Sequence, residues 1–193
     1  MEIRFQNSPN ETKGMTTEQL RENFLVEGLM KDDEIRLVYS HYDRVIVGGV
    51  KPVGKTIGLP NHDELKAEYF LERRELGIIN VGGAGTVTVG KEKFKLAKLE
   101  CLYLGKGTQD VSFSSDYATQ PALFYLMSTP AHHAYPVTKY SKEDAAPVAL
   151  GDASTSNKRT IYKYIHLDGI KSCQLVMGLT VLEAGSVWNS VPP

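Results

Sequence analysis

The stretch from Glu72 to Gly107, ERRELGIINVGGAGTVTVGKEKFKLAKLECLYLGKG, restricts the possible fold more than any other part of this chain. Ile78, Ile79 and Val81 run into Gly82-Gly83-Ala84-Gly85. Thr86–Val89 alternates up to Gly90-Lys91, Phe94 and Leu96 alternate with lysines, and Leu99–Leu104 is an apolar run closed by Gly105-Lys106-Gly107. A helix would need apolar residues three and four apart, which these segments lack. Period-two alternation punctuated by glycine turns predicts a small antiparallel barrel or jelly roll.

The flanking sequence extends the pattern. Thr16-x-x-Gln19 has capping-box spacing and is followed by Leu20, Phe24 and Leu25, which predicts one short N-terminal helix over Thr17–Val26 after an irregular lead-in. Strands are expected at Glu34–Ser40 and Arg44–Val50, then a Pro- and Gly-rich loop over Lys51–Asn61. Further strands are expected at Asp110–Ser114, Ala122–Ser128, Arg159–His166 and Cys173–Val181. Ser141–Gly151 (SKEDAAPVALG) has the composition of a linker and divides the chain into residues 1–145 and 146–193.

With 193 residues the chain is long enough to bury roughly 70% of its unfolded surface and needs no covalent staple. Twenty-two basic and 23 acidic residues leave a formal charge of −1, which gives no electrostatic reason to expect nucleic acid or an anionic membrane as partner. No segment has the apolar length of a membrane span, and MEIRFQNSPN lacks a signal-peptide core. Cys101 and Cys173 both lie in apolar runs and form no disulfide framework. A cytoplasmic setting is expected.

Few residues carry a chemical signal. Gly82–Gly85 precedes a strand rather than a helix, so it reads as a hairpin turn and not a phosphate cradle. His132 and His133 point to opposite sides of an extended chain, which disfavours a shared metal ion. No Ser/His/Asp or Cys/His spacing argues for a nucleophile. Glu72-Arg73-Arg74-Glu75 reads first as a solvated rim of weak ion pairs, and second as a barrel-mouth cluster suited to an anion. Alternation places Arg159, Ile161 and Lys163 on one face of a strand. Arg159 and Lys163 together would suit a sugar acid's carboxylate and are the candidate substrate-binding residues.

Several segments resemble the 5-keto-4-deoxyuronate isomerase family: NFLVEGL (Asn23–Leu29), VYSHYDRVIVGG (Val38–Gly49), YFLERRELGIINVGGAGTVTV (Tyr69–Val89), YLGKG (Tyr103–Gly107), PAHHAYP (Pro130–Pro136), LGDASTSNKRTIYKY (Leu150–Tyr164) and CQLVMGLTVLEAGSVWNSVP (Cys173–Pro192). The resemblance implies an all-β bicupin of jelly-roll barrels. Residues 1–145 would form a metal-free cupin-like domain, and 146–193 the incomplete start of the catalytic one. It implies an intramolecular oxidoreductase of pectin and uronate breakdown, forming a homo-oligomer and acting on a small sugar acid with one zinc per subunit. The family's zinc ligands, a His-x-His-x-x-x-x-Glu segment and a later His, follow the Trp-Asn-x-x-Pro stretch, here Trp188–Pro192. They would lie beyond Pro193, so this chain alone is expected to be inactive and to hold no zinc tightly, with no catalytic residue assignable. The alternative is a non-enzymatic cupin module that binds sugar acids or mediates assembly.

Overall fold

The computed structural model describes residues 1–187. The Trp188–Pro192 motif therefore lies outside the described residues. In chain order the elements are β1 (Glu2–Arg4), α1 (Pro9–Thr12), α2 (Thr17–Phe24), β2 (Ile35–Ser40), β3 (Ile46–Val50), β4 (Ile57–Gly58), β5 (Arg74–Asn80), β6 (Gly85–Val89) and β7 (Glu92–Leu96). They continue with β8 (Cys101–Leu104), β9 (Val111–Ser115), β10 (Phe124–Pro130), β11 (Thr138–Tyr140), β12 (Val148–Leu150), β13 (Arg159–Ile165) and β14 (Met177–Leu182).

Three sheets result. The largest has the order β1-β2-β3-β10-β5-β8-β11, a second β4-β9-β6-β7, and a third β12-β13-β14. The first two face each other to form an all-β barrel of the jelly-roll type. Leu37, Ile46, Leu76, Ile78, Leu102, Phe124 and Leu126 from one sheet meet Val87, Leu96, Val111 and Phe113 from the other in a single core. A second core lies on the opposite face of the large sheet. There Ile79, Cys101 and Tyr103 pack against Tyr164, Ile165, Leu175 and Met177 of the third sheet and its loops. The middle of the large sheet is thus covered on both sides, which explains why every residue of β5 is buried and why its Leu76–Ile79 stretch is apolar on both faces. Gly77 is part of that fit, because a Cβ there would sit 2.6 Å from Met177 Sδ.

The expected helix forms over Thr17–Phe24. Thr16 Oγ1 accepts from the Gln19 amide while the Gln19 side chain accepts from the Thr16 amide. The lead-in is more ordered than its composition suggests. Ser8 caps α1 through a second capping box with Glu11, and β1 pairs in parallel with β2.

Gly82–Gly85 is not a hairpin turn. It carries the chain from β5 in the large sheet to β6 in the second sheet, a corner pressed against residues 120–123. A Cβ at Gly83 would stand 2.0 Å from the Gln120 carbonyl oxygen. The stretch with linker composition contains β12, and its Ala145 is buried in the second core. The last strand begins at Met177 rather than Cys173, because the amides of Cys173–Leu175 donate to a buried carboxylate instead of a neighbouring strand.

Candidate functional site

Strand β5 places two neighbouring charges inside the protein. Adjacent residues on a strand face opposite ways, so Arg74 joins the barrel side with Leu76 and Ile78, whereas Glu75 joins Ile79 and faces the third sheet. Both are buried, Arg74 to 7% exposure and Glu75 to 0%. They do not form an ion pair among the described residues. The reading of Glu72–Glu75 as a solvated rim therefore holds for exposed Arg73 but not for Arg74 and Glu75.

Glu75 is saturated with donors. Its Oε2 accepts from Tyr103 Oη (2.7 Å) and the Cys173 amide (2.8 Å). Oε1 accepts from Thr129 Oγ1 (3.1 Å) and from the amides of Gln174 and Leu175 (both 2.8 Å). Burial pushes the carboxyl up, but the amides of Cys173, Gln174 and Leu175 with the Tyr103 hydroxyl hold it below its ordinary value. Burial and the same carboxylate push the Tyr103 hydroxyl upward. Glu75 is an ionised staple between the barrel and the third sheet, with no oxygen left for a ligand.

Arg74 lies at the mouth of the barrel. Its Nε donates to Ser128 Oγ (3.0 Å), and Nη2 donates to the carbonyls of Arg44 (2.6 Å) and Ser128 (2.9 Å). Its guanidinium carbon sits 5.8 Å from the centre of the Tyr39 ring. Burial lowers its pKa to about 10, so it remains charged at neutral pH. The Arg44 carbonyl is presented by a tight turn in which Asp43 and Arg44 both have left-handed backbone (φ 51° and 54°), closed by Val45 N donating to the Tyr42 carbonyl. The two positive φ angles sit at the centre of the Tyr42–Val45 turn, within the five residues that join the paired β2 and β3.

Above Arg74 lies a cavity of about 250 Å³, lined by Tyr39, Arg44, Glu64, Lys66, Phe70 and Arg73 among others. Arg73 fixes the far wall by donating to the carbonyls of Leu65 (3.1 Å) and Lys66.

Arg159 and Lys163 lie elsewhere, on the third sheet. Tyr162 pairs with Leu179, and both pack against the second core, so Arg159, Ile161 and Lys163 share the face turned away from the barrel. The expected alternation is present up to a register shift between Lys163 and Ile165. Arg159 Nη1 donates to the Asn157 carbonyl (3.1 Å), and Lys163 borders a groove of about 310 Å³ with Ile161 and Gly178. His132 and His133 are exposed. Cys173 meets His133 only through its backbone, Sγ donating to the carbonyl at 3.2 Å, so the pair is not a nucleophile and its base.

Among the described residues no three His, Cys, Asp or Glu side chains converge on a point that could hold a metal ion. Glu75, the one buried carboxylate among the described residues, is already saturated. The described residues do not fit the zinc that the family resemblance implies. No described helix is long and apolar enough to cross a membrane.

The model of the KduI/IolB family matches residues 24–193. A protein of Shouchella clausii named 4-deoxy-L-threo-5-hexosulose-uronate ketol-isomerase is 52% identical over 192 residues, covering all of this chain and 70% of the relative. A protein of the same name from Halalkalibacterium halodurans is 50% identical with the same coverage. Among solved structures, an IolB-like protein of Salmonella typhimurium superposes with a TM-score of 0.48 at 17% identity, over 62% of this chain and 43% of that one. From its extended match to the family model and its half-identity to relatives along its whole length, this chain belongs to the KduI/IolB family.

Proposed function

We propose that the chain serves the ketol-isomerisation for which its relatives are named, interconverting 5-dehydro-4-deoxy-D-glucuronate and 3-deoxy-D-glycero-2,5-hexodiulosonate. The observation that carries this reading is 52% identity, over the full chain, to a protein of that name. The reaction moves a proton between neighbouring carbons through an enediol-like intermediate, so it needs a base and a group that stabilises charge developing on oxygen. Among the described residues, Arg159 and Lys163 are the proposed partners for the substrate carboxylate. In support, both belong to the same alternating set of β13, and Lys163 borders an open groove. A place in uronate and pectin breakdown, a cytoplasmic setting and a homo-oligomer belong to the same proposal.

A hybrid tests it directly. This chain replaces the matching 192 residues of the Shouchella clausii relative, whose remaining part is kept. The hybrid is expected to isomerise the deoxy-keto-uronate within about tenfold of that relative, a difference of about 1.4 kcal/mol in the barrier. Arg159→Ala and Lys163→Ala in the hybrid should raise KM more than they lower kcat. A folded hybrid without isomerase activity would sink the reading. No zinc ligand is assigned to residues 1–187. The 193-residue chain, dialysed against zinc and then metal-free buffer, should retain well under one ion per chain; a tightly held equivalent overturns that assignment.

A further inference from the structure

We propose that the cavity over Arg74 at the mouth of the barrel is a binding site for a small organic carboxylate. This does not depend on the isomerase reading, because the site lies on the barrel side of β5, whereas Arg159 and Lys163 project from the third sheet's far face.

A buried ion ordinarily has a counter-ion or a complete set of hydrogen bonds, since leaving it uncompensated is costly. Arg74 is 7% exposed and has neither. No carboxylate among the described residues lies within ion-pair distance of it. Its acceptors are the Ser128 hydroxyl and the Ser128 and Arg44 carbonyls, all reached through Nε and Nη2. Nη1 has no acceptor among the described residues. Because no fully buried side-chain nitrogen or oxygen among them lacks a partner, Nη1 must touch accessible space, and Arg74 lines the cavity.

The walls reinforce the charge. Arg44, Lys66 and Arg73 also line the cavity, against Glu64 as the sole lining acid. A role confined to tying β5 to β10 and the β2–β3 turn would account for Nε and Nη2. It leaves Nη1 open to the cavity and does not account for the surplus of cations around it. One carboxylate would supply the missing acceptor and neutralise the buried charge. The guanidinium is already held by Ser128, Arg44 and the Tyr39 ring, so little ordering is required on binding. Tyr39, Leu65, Phe70 and Pro130 offer the body of the ligand an apolar surface, and about 250 Å³ accommodates a molecule the size of a hexuronate.

Calorimetric titration of the whole chain tests the site, with D-galacturonate as probe, methyl galactoside as its neutral counterpart and inorganic phosphate as a competing anion. Galacturonate is expected to bind with a dissociation constant on the order of 1 mM or tighter, weakening as salt is raised. Arg74→Lys keeps the charge but loses the fork and should weaken binding about tenfold. Since Arg74 is buried, the exposed pair Lys66→Gln/Arg73→Gln provides a second variant, expected to weaken binding several-fold while the protein keeps a sharp thermal transition. The proposal is overturned if methyl galactoside binds as well as galacturonate, if phosphate binds more tightly, or if the exposed-pair variant binds like the unmodified chain. A folded Arg74→Lys protein with unaltered binding would overturn it too.

Discussion

Glu75 and Arg74 meet the same problem, a charge inside a sheet, in different ways. Glu75 gathers five donors on two oxygens. A glutamine there has one acceptor oxygen, and its amide would face hydrogen-bond donors instead of acceptors. With hydrogen bonds to charged groups contributing about 1.5–3 kcal/mol each, Glu75→Gln should destabilise by about 3–5 kcal/mol in urea unfolding. The pH dependence has a definite sign. The folded carboxyl lies below its ordinary value, so its contribution is fully present above the unfolded value of about 4.5 and is lost as pH falls through the lower folded value. The gap in melting temperature between the unmodified chain and Glu75→Gln should therefore be constant near neutrality and shrink below about pH 4.5. A gap that widened on acidification would show that Glu75 is not held as the anion.

Among the elements, strands whose burial alternates were legible in the sequence. Val87 and Phe94 face the core while the lysines beside Phe94 face solvent, so β6 and β7 follow from period-two patterning alone. Short pieces were not. β4 has two residues and β1 three, too few for a period, and both form because a neighbouring strand offers free backbone groups. The Gly82–Gly85 corner differs from the expected hairpin turn for a related reason: local sequence shows that the chain turns but not which sheet the next strand joins. The burial of Arg74 and Glu75 was hidden because a charge run beside a strand ordinarily marks a solvated edge. The available signal was the unbroken apolar run after them, which signifies a strand covered on both faces. The corner makes its own prediction. A Cβ at Gly83 would meet a backbone oxygen and not a side chain that could swing aside, so Gly83→Ala should cost about 1–3 kcal/mol in urea unfolding. A neutral Gly83→Ala would mean that the 120–123 segment yields freely.

At the level of the whole molecule, the composition shift in Ser141–Gly151 suggests a division between residues 145 and 146, yet the second core spans that boundary. Ile79, Cys101 and Tyr103 on one side are at most 3% exposed, and Tyr164, Ile165, Leu175 and Met177 on the other cover them. Separating the parts would uncover this patch and remove from Glu75 the amides of Cys173, Gln174 and Leu175. Re-exposing a large apolar side chain costs about 1.5–3 kcal/mol. Two or three of these, with an under-satisfied buried carboxylate, amount to much of the roughly 5–15 kcal/mol that holds a domain folded. Residues 1–145 produced alone should therefore bind a hydrophobic dye, associate at micromolar concentration, and lack the sharp thermal transition of the full chain. Glu75→Gln in the full chain should reproduce part of this by raising amide exchange in 159–182 more than in 85–115, because the staple is lost while the barrel's own core is intact. A monomeric 1–145 piece melting within a few degrees of the full chain would mean that the barrel is complete without the third sheet, and that the second core forms only after each part has already folded.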